Sequence, residues 1–264
     1  MLIQNNLPEK YNNSIEYIYN YYKNKNLGGK FSEHFWIDDI KNKELKYHLN
    51  RLRNANEIKD TIKKELKNCD VISSHNTDEV YLSVSPSNRN GSDITLSDCH
   101  YDAPFKYVYQ GGCKFLRLIL ALNENKTVYT KVEEKTSLLS KGDYNIIDYN
   151  NDYHCVYGSI PKNKDRIMLK LHYISAPYNT NKKWIIFCKN INNWWTHFSR
   201  NMMRDSINPK NLTGYIKKYI VLLSRLIWNY MRFLIITLIL ITILMFNSKK
   251  ISSSFLKVSK KISL

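Results

Sequence analysis

The sequence lacks the marks of a secreted protein. Residues 1–6 have neither a basic start nor an apolar run, so no cleavable signal sequence is predicted. None of the five cysteines forms a C-x-x-C pair, and their odd number argues against a framework of disulfide bonds. We therefore expect reduced thiols and a cytosolic setting.

Acidic residues are scarce relative to basic ones. The chain has 40 Lys and Arg against 23 Asp and Glu, a formal net charge of +17 that raises a nucleic-acid hypothesis. However, the lysines are scattered among asparagines rather than gathered on one predicted face. The skew towards Lys, Asn, Ile and Tyr is also what an AT-rich coding sequence produces. Nucleic acid is therefore not predicted to be a partner.

Helical periodicity is absent from the middle of the chain. Apolar and polar residues alternate there in short segments separated by turn residues, which is the pattern of β-strands. Strands that follow one another without helices between them favour a sandwich or jelly roll over a parallel α/β sheet. The predicted strands are 80–85, 93–102, 115–122, 127–132, 136–140, 144–149, 154–157 and 166–174.

Residues 1–70 have a helical pattern instead. Ile58 and Ile62 lie one helical turn apart in a predicted helix at 56–67, and another helix is predicted at 15–23. We expect these helices to cover one face of the sheet. The predicted fold class is therefore α+β, with N-terminal helices packed on a jelly roll.

Four residues in the strand region suggest a metal site. His100 and Asp102 share parity in one predicted strand, so their side chains face the same way. A second predicted strand leads into His154, which supplies a third ligand if the two strands are neighbours. Two imidazoles and one carboxylate on one face of an octahedron leave three positions open, as in non-haem Fe(II) oxygenases. Arg166 begins the last predicted strand.

This pattern resembles that of the 2-oxoglutarate and Fe(II)-dependent dioxygenases, which combine H-x-D, a distal His and a basic residue shortly after it. Here it reads His100-Tyr101-Asp102, His154 and Arg166. Any one of these residues has an ordinary alternative: His154 as a hydrogen-bonded strand histidine, Arg166 as a solvated turn residue. Their order and spacing together favour the metal site over these alternatives.

Two further segments support the resemblance. The strand at 115–123 is similar to the family's arginine-bearing strand that ends in Leu-Asn, and 141–144 resembles its Gly-Asp turn before the distal His. The resemblance covers residues 93–173 and at most 70–175. It implies a double-stranded β-helix, the jelly roll of the family.

The resemblance also implies a cofactor, a co-substrate and their ligands. Fe(II) would be held by His100, Asp102 and His154, and Arg166 would pair with the far carboxylate of 2-oxoglutarate through its planar fork. Hydroxylation would accompany oxidative decarboxylation to succinate, with ascorbate as a reductant. Met168 departs from the family, which often has a small hydroxyl-bearing residue there.

Three neighbours of this pattern receive other interpretations. Cys99 and Cys155 adjoin the two ligand histidines, but adjacent residues of a strand face opposite ways, so we interpret them as packing residues rather than ligands. His172 shares parity with Arg166 and is predicted to be a core residue or a support behind the ligands.

The C-terminal part has a different composition. An uncharged apolar run at 233–246 is the centre of a predicted transmembrane helix at 219–247, long enough to cross the ~30 Å hydrocarbon core. A buried core helix is the alternative, but no other segment is apolar enough to surround it. A basic tail follows at 248–264. Lysines flank both ends of the helix, so the positive-inside rule does not decide orientation.

Residues 179–218 form a predicted juxtamembrane segment that is partly amphipathic. Trp194, Trp195 and Phe198 lie close to Arg200, as expected at a membrane interface. A helix that packs on the β domain is the alternative interpretation. With residues 1–70 as the helical part and 71–178 as the oxygenase core, we expect a cytosolic catalytic domain held by its C-terminus in a bilayer.

Two functional hypotheses follow. The first is a membrane-anchored dioxygenase that hydroxylates a protein or lipid substrate. The second is a non-catalytic, membrane-anchored jelly roll with a structural or adaptor role. The complete set of ligands with Arg166 favours the first, because a domain freed from catalysis has no physical need to keep it. In the loop after Asp102, Phe105, Tyr107 and Tyr109 either grip a substrate or cover the barrel mouth.

Overall fold

The computed structural model describes residues 1–29, 32–85, 99–102, 111–207, 209, 211–220, 223 and 237. The chain divides into two compact units, Met1–His197 and Phe198–Leu264. In chain order the elements are β1 (Leu2–Asn6), α1 (Asn12–Tyr22), β2 (Ser32–Trp36), α2 (Lys43–Arg53), α3 (Asn56–Leu66), β3 (Cys69–Ser73), β4 (Glu79–Val84), β5 (Lys114–Ala121), β6 (Val128–Val132), β7 (Lys135–Leu138), β8 (Asp143–Asp148), β9 (His154–Gly158), β10 (Asp165–Pro177) and α4 (Lys182–Ile207).

The strands form two antiparallel sheets. The larger sheet has the order β1-β8-β5-β10-β4-β2, and β3 pairs with the far end of β10. The smaller sheet has the order β7-β6-β9. All strand pairs run antiparallel. After β5 in the larger sheet, β6 and β7 form a hairpin in the smaller one, and β8, β9 and β10 then alternate between the two sheets. This arrangement is consistent with a double-stranded β-helix.

The outer face of the larger sheet is covered by the N-terminal helices. Leu116, Leu118 and Leu120 alternate along β5 and are buried in one core with the apolar stripes of α1, α2 and α3. The helix α2 begins at a side-chain cap, since Asn42 Oδ1 accepts a hydrogen bond from the backbone of Leu45 at 2.9 Å. The predicted α+β fold with helices on one face of the sheet is confirmed.

The inner face of the larger sheet is mixed apolar and polar. Phe115, Ile119 and Ala121 of β5 belong to a second buried core, to which the smaller sheet contributes Val132. Arg117 has the same parity as these residues and is also buried. Polar side chains on an enclosed strand face are costly unless they have partners, so this face is where a functional site is expected.

Some elements of the structure agree with the predicted ones and others do not. The helix predicted at 15–23 corresponds to α1, the one predicted at 56–67 to α3, and the strand predicted at 136–140 to β7, which begins one residue earlier and ends two residues earlier. The strands β1, β2 and β3 and the helix α2 have no counterpart among the predicted elements. Of the strand predicted at 93–102, only the last four residues lie among the described ones. The loop with Phe105, Tyr107 and Tyr109 lies outside them.

The structure describes only part of the C-terminal region to which the predictions apply. Residues 182–207 are helical, with Ile185 and Cys188 buried in the second core and Trp194 63% exposed. Among the described residues, none of the helices combines the length and the apolar character that crossing a bilayer requires. The predicted transmembrane helix at 219–247 has four described residues, and the tail at 248–264 has none, so both stay predictions.

Candidate metal centre

Backbone hydrogen bonds bring the three predicted ligands together. His100 and His154 pair in one antiparallel bridge, in which His100 N donates to His154 O at 2.9 Å and His154 N donates to His100 O at 3.0 Å. Asp102 N donates to Tyr149 O at 3.0 Å, at the end of the strand β8 that precedes His154. The chain therefore holds both segments side by side, as the sequence pattern required.

The side chains of these residues converge. His100 Nε2 lies 3.2 Å from Asp102 Oδ1, and His154 Nε2 lies 3.5 Å from Asp102 Oδ2. One ligand atom from each residue can be chosen so that all lie within 4.8 Å of one another. Among the residues that the structure describes, this is the one group of His, Cys, Asp or Glu side chains that meets this criterion.

The histidine tautomer suits a metal ligand. His154 Nδ1 lies 2.9 Å from the carbonyl oxygen of Asp152, so the ring proton belongs on Nδ1. This leaves the Nε2 lone pair directed towards Asp102. A neutral imidazole fixed in this way by a carbonyl is the usual arrangement of a ligating histidine.

The centre is buried on one side and open on the other. The side chains of His154, Asp102 and His100 are 7%, 20% and 47% exposed, respectively. A cation held between them would keep contact with solvent on the His100 side. Two nitrogen ligands and one oxygen ligand with an open side suit a non-haem Fe(II) centre.

The positive charge of Arg117 favours the ionised form of Asp102. Burial opposes ionisation, but the positive charge of Arg117, followed by the effect of the nearby His154 and His100 rings, outweighs it. The pKa of Asp102 therefore lies well below its usual value. Asp102 is thus a carboxylate at neutral pH, ready to bind a cation.

Arg117 contacts the candidate metal centre directly. The sequence pattern indicated only that its strand resembles the arginine-bearing strand of the family. Its Nη1 donates a hydrogen bond to Asp102 Oδ2, and its Nε donates to His172 Nε2 at 3.1 Å. The register pairs Arg117 directly with His172 across β5 and β10. His172 is buried and lies behind the ligands, as one of the two interpretations of the sequence had it.

Arg166 lies at the start of β10 on the same face of the strand as His172. It is buried, and its Nε has no hydrogen-bond partner. Burial lowers the pKa of Arg166, opposed by the electrostatic effect of Tyr81. None of the described carboxylates forms an ion pair with it. A buried guanidinium that lacks a carboxylate partner is suited to bind an anionic ligand. The role of Arg166 in binding the co-substrate stays a prediction.

The expectation of reduced thiols is wrong for one pair of cysteines. Cys99 and Cys155 form a disulfide bond, whereas Cys69, Cys113 and Cys188 are free and buried. Parity places both cysteines on the strand face opposite the ligands, but parity alone does not show that they meet there. Because His100 and His154 exchange both backbone hydrogen bonds, the next residues form a non-hydrogen-bonded pair, whose Cα atoms approach to about 4.5 Å. The observed Cα–Cα distance is 4.3 Å.

Comparison with known sequences does not assign the chain to a family. No protein-family model matches the chain. A stretch of 87 residues is 32% identical to glutamate-1-semialdehyde 2,1-aminomutase from Flavobacterium psychrophilum and covers 30% of this chain. The match spans 19% of that enzyme's length.

Comparison with solved structures finds similar folds at low identity. A prolyl 4-hydroxylase from Phytophthora capsici gives a TM-score of 0.47 and 14% identity, covering 88% of this chain and 83% of that one. The non-haem α-ketoglutarate-dependent epimerase SnoN of nogalamycin biosynthesis gives 0.46 and 12%, covering 65% and 76%. HygX from Streptomyces hygroscopicus, with nickel, 2-oxoglutarate and hygromycin B bound, gives 0.39 and 9%, covering 69% and 84%.

Proposed function

We propose that the protein is a 2-oxoglutarate and Fe(II)-dependent dioxygenase that hydroxylates an organic substrate. The observation that carries this proposal is the convergence of His100, Asp102 and His154, with ligand atoms within 4.8 Å of one another. The donor set is two imidazoles and one carboxylate on a single side of the site. That set suits Fe(II) and leaves positions for a chelating co-substrate.

The chain's own residues prepare the site for the metal. The carbonyl of Asp152 fixes the His154 ring with Nε2 available, and the charge of Arg117 keeps Asp102 ionised. When bound, Fe(II) would supply the activation of oxygen that is coupled to decarboxylation of 2-oxoglutarate. The protein's part is to orient the reactants and to limit access of water on the buried His154 side.

Arg166 supports 2-oxoglutarate as the co-substrate. A buried guanidinium whose Nε lacks a partner is unfavourable in the free protein, and a carboxylate relieves this by accepting charge-assisted hydrogen bonds. The far carboxylate of 2-oxoglutarate is such a group. The position of Arg166 at the start of β10, on the inner face, supports this assignment over a surface role.

We also propose that the enzyme is attached to a bilayer and acts near it on a protein side chain or a lipid, with its catalytic unit in the cytosol. The apolar run at 233–246 supports an anchor. On α4, Ile186, Phe187 and Trp194 are exposed while Ile185 and Cys188 are buried, so the helix presents apolar residues on its solvent side. The cytosolic setting rested in part on reduced thiols and stays a proposal.

The test uses the full chain in detergent. It is incubated in air with Fe(II), ascorbate and 2-oxoglutarate, and succinate is measured for the wild type and for Asp102→Ala. We expect succinate from the wild type and background from the variant. Equal succinate from both would remove the proposed metal centre from the reaction. No succinate from either, with no Fe(II) bound under argon, would favour a structural or adaptor jelly roll.

A further inference from the structure

Arg117 is held from several directions behind the candidate metal centre. One end of its guanidinium donates to Asp102, and Nε donates to His172 Nε2 at 3.1 Å. Its Cζ lies 4.6 Å from the centroid of the Tyr149 ring, whose hydroxyl accepts a hydrogen bond from Asn192 at 2.6 Å. The guanidinium therefore has little freedom to move.

The contact with Arg117 fixes the tautomer of His172. An arginine N–H can only donate, so His172 Nε2 must accept and the ring proton must lie on Nδ1. His172 Nδ1 lies 3.1 Å from Asp78 Oδ1, and the backbone N of His172 donates to the same oxygen at 2.8 Å. His172 thus joins Arg117 to Asp78 as a neutral ring with both nitrogens engaged.

Asp78 connects this chain of hydrogen bonds to the helical layer. It is buried, and its Oδ2 accepts from Arg53 Nε at 2.9 Å and lies 2.6 Å from His75 Nδ1. Arg53 is the last residue of α2. A continuous series of contacts therefore runs from Asp102 at the metal centre to the helix that covers the opposite face of the sheet.

Backbone bonds alone do not orient the Asp102 carboxylate. The hydrogen bond from Asp102 N to Tyr149 O places its Cα, but the side chain can still rotate about its own bonds. The contact from Arg117 engages Oδ2 and leaves Oδ1 beside His100 Nε2. A carboxylate with one oxygen committed to a guanidinium offers the other oxygen to a metal.

We propose that Arg117, held by His172 and Asp78, is a positioning residue that presents Asp102 to the metal through a single oxygen. This inference rests on the proposed function. Single-oxygen binding occupies one coordination position instead of two and so leaves room for a chelating co-substrate. The partners of metal ligands set both the orientation of those ligands and the affinity for the metal.

The first test compares Arg117→Met and Arg117→Lys with the wild type as full chains in detergent under argon. Metal affinity is measured by titration with Fe(II), and ligand geometry by the visible absorption of Co(II). We expect Arg117→Met to bind metal about 10- to 100-fold more weakly and to change the Co(II) spectrum. Arg117→Lys should recover part of the metal affinity, because lysine restores the positive charge but not the planar guanidinium with its several N–H donors.

Arg166→Met is the matched control, because it removes the other buried arginine of the inner face. It should keep the wild-type metal affinity and Co(II) spectrum and lose affinity for 2-oxoglutarate. An Arg117→Met protein with wild-type affinity and spectrum overturns the positioning role. A wild-type protein that binds neither metal overturns the proposed function instead, so the two failures are distinct.

A second pair of variants tests the link through His172. His172→Gln keeps an acceptor for Arg117 and a donor for Asp78, whereas His172→Leu removes both. We expect metal affinity to fall about 10-fold in His172→Leu and to be restored in His172→Gln. Thermal melting of each variant reports its fold. Equal metal affinity in folded His172→Leu and the wild type overturns the link, even if Arg117→Met does not fold.

Discussion

His100 and His154 face each other across one antiparallel bridge, and the disulfide between Cys99 and Cys155 lies at the adjacent pair of positions. The two histidine ligands are thus connected by two backbone hydrogen bonds and by a covalent bond beside them. Any change that separates the two segments must also separate the ligands. The covalent bond is therefore expected to contribute to both stability and metal binding.

Removal of the disulfide should destabilise the protein. We expect Cys99→Ser combined with Cys155→Ser to lower the free energy of unfolding by about 2–4 kcal/mol, because the bond restricts the unfolded chain across a sequence separation of 56. Urea unfolding with and without a dithiol reductant checks this. The reductant should lower the stability of the wild type and leave that of the double variant unchanged, and the opposite pattern would contradict the prediction.

Arg166→Met should separate co-substrate binding from metal binding. Loss of charge-assisted hydrogen bonds to a buried carboxylate corresponds to about 10- to 100-fold weaker binding of 2-oxoglutarate. Affinity for Fe(II) should not change, because Arg166 is not a ligand. Anaerobic calorimetry measures both constants. Unchanged 2-oxoglutarate affinity would assign the far carboxylate to another residue.

Asp78 should make stability depend on pH. Burial raises its pKa, but hydrogen bonds from His172 and His75 lower it by more, so the folded pKa lies below the unfolded one. The stabilisation is therefore present above about pH 4, the unfolded value, and is lost as the pH falls through the folded pKa. Asp78→Asn should flatten the acid side of the stability curve.

The same substitution has an effect at neutral pH. It leaves the buried Arg53 without its main partner, which should cost about 3–5 kcal/mol. The control is Glu16→Gln, which removes a partly exposed ion pair with Lys141 and should cost less than about 1 kcal/mol. Equal losses in the two variants, measured by urea unfolding at several pH values, would contradict the role of Asp78.

Gly158 should not tolerate a side chain. Its φ is +100°, and a Cβ there would lie 1.9 Å from the carbonyl oxygen of Thr127. Gly158→Ala should therefore disturb the pairing of β9 with β6 and destabilise the protein by more than the ~1–3 kcal/mol of backbone strain. Gly28→Ala is the control, because Gly28 also has a positive φ but has nothing within 4 Å of a Cβ. Similar melting temperatures for the two variants would contradict the clash.

The ligand set could be predicted from the sequence because it depends on local rules. Parity places His100 and Asp102 on one side of a strand, and the short connection after β8 brings His154 beside them. The role of Arg117 could not be predicted in the same way. It depends on which residue of β10 lies opposite it, and parity does not specify the register between distant strands.

The missed elements have a similar physical origin. The strands β1 and β2 are short and lie at the edges of the larger sheet, where polar residues such as Gln4 and Glu33 are tolerated and the alternation is weak. Parity describes each cysteine within its own strand and therefore does not predict the disulfide. The pairing of Cys99 with Cys155 follows only once His100 is known to lie opposite His154.

The most direct test of the proposed oxygenase is an anaerobic calorimetric titration of the full chain with Fe(II), followed by 2-oxoglutarate. We predict one Fe(II) per chain, then one 2-oxoglutarate that binds only to the metal-loaded protein. Asp102→Ala should abolish both steps, and Arg166→Met only the second. Fe(II) binding that survives in Asp102→Ala, or 2-oxoglutarate binding that does not need the metal, would contradict the assignment of this centre.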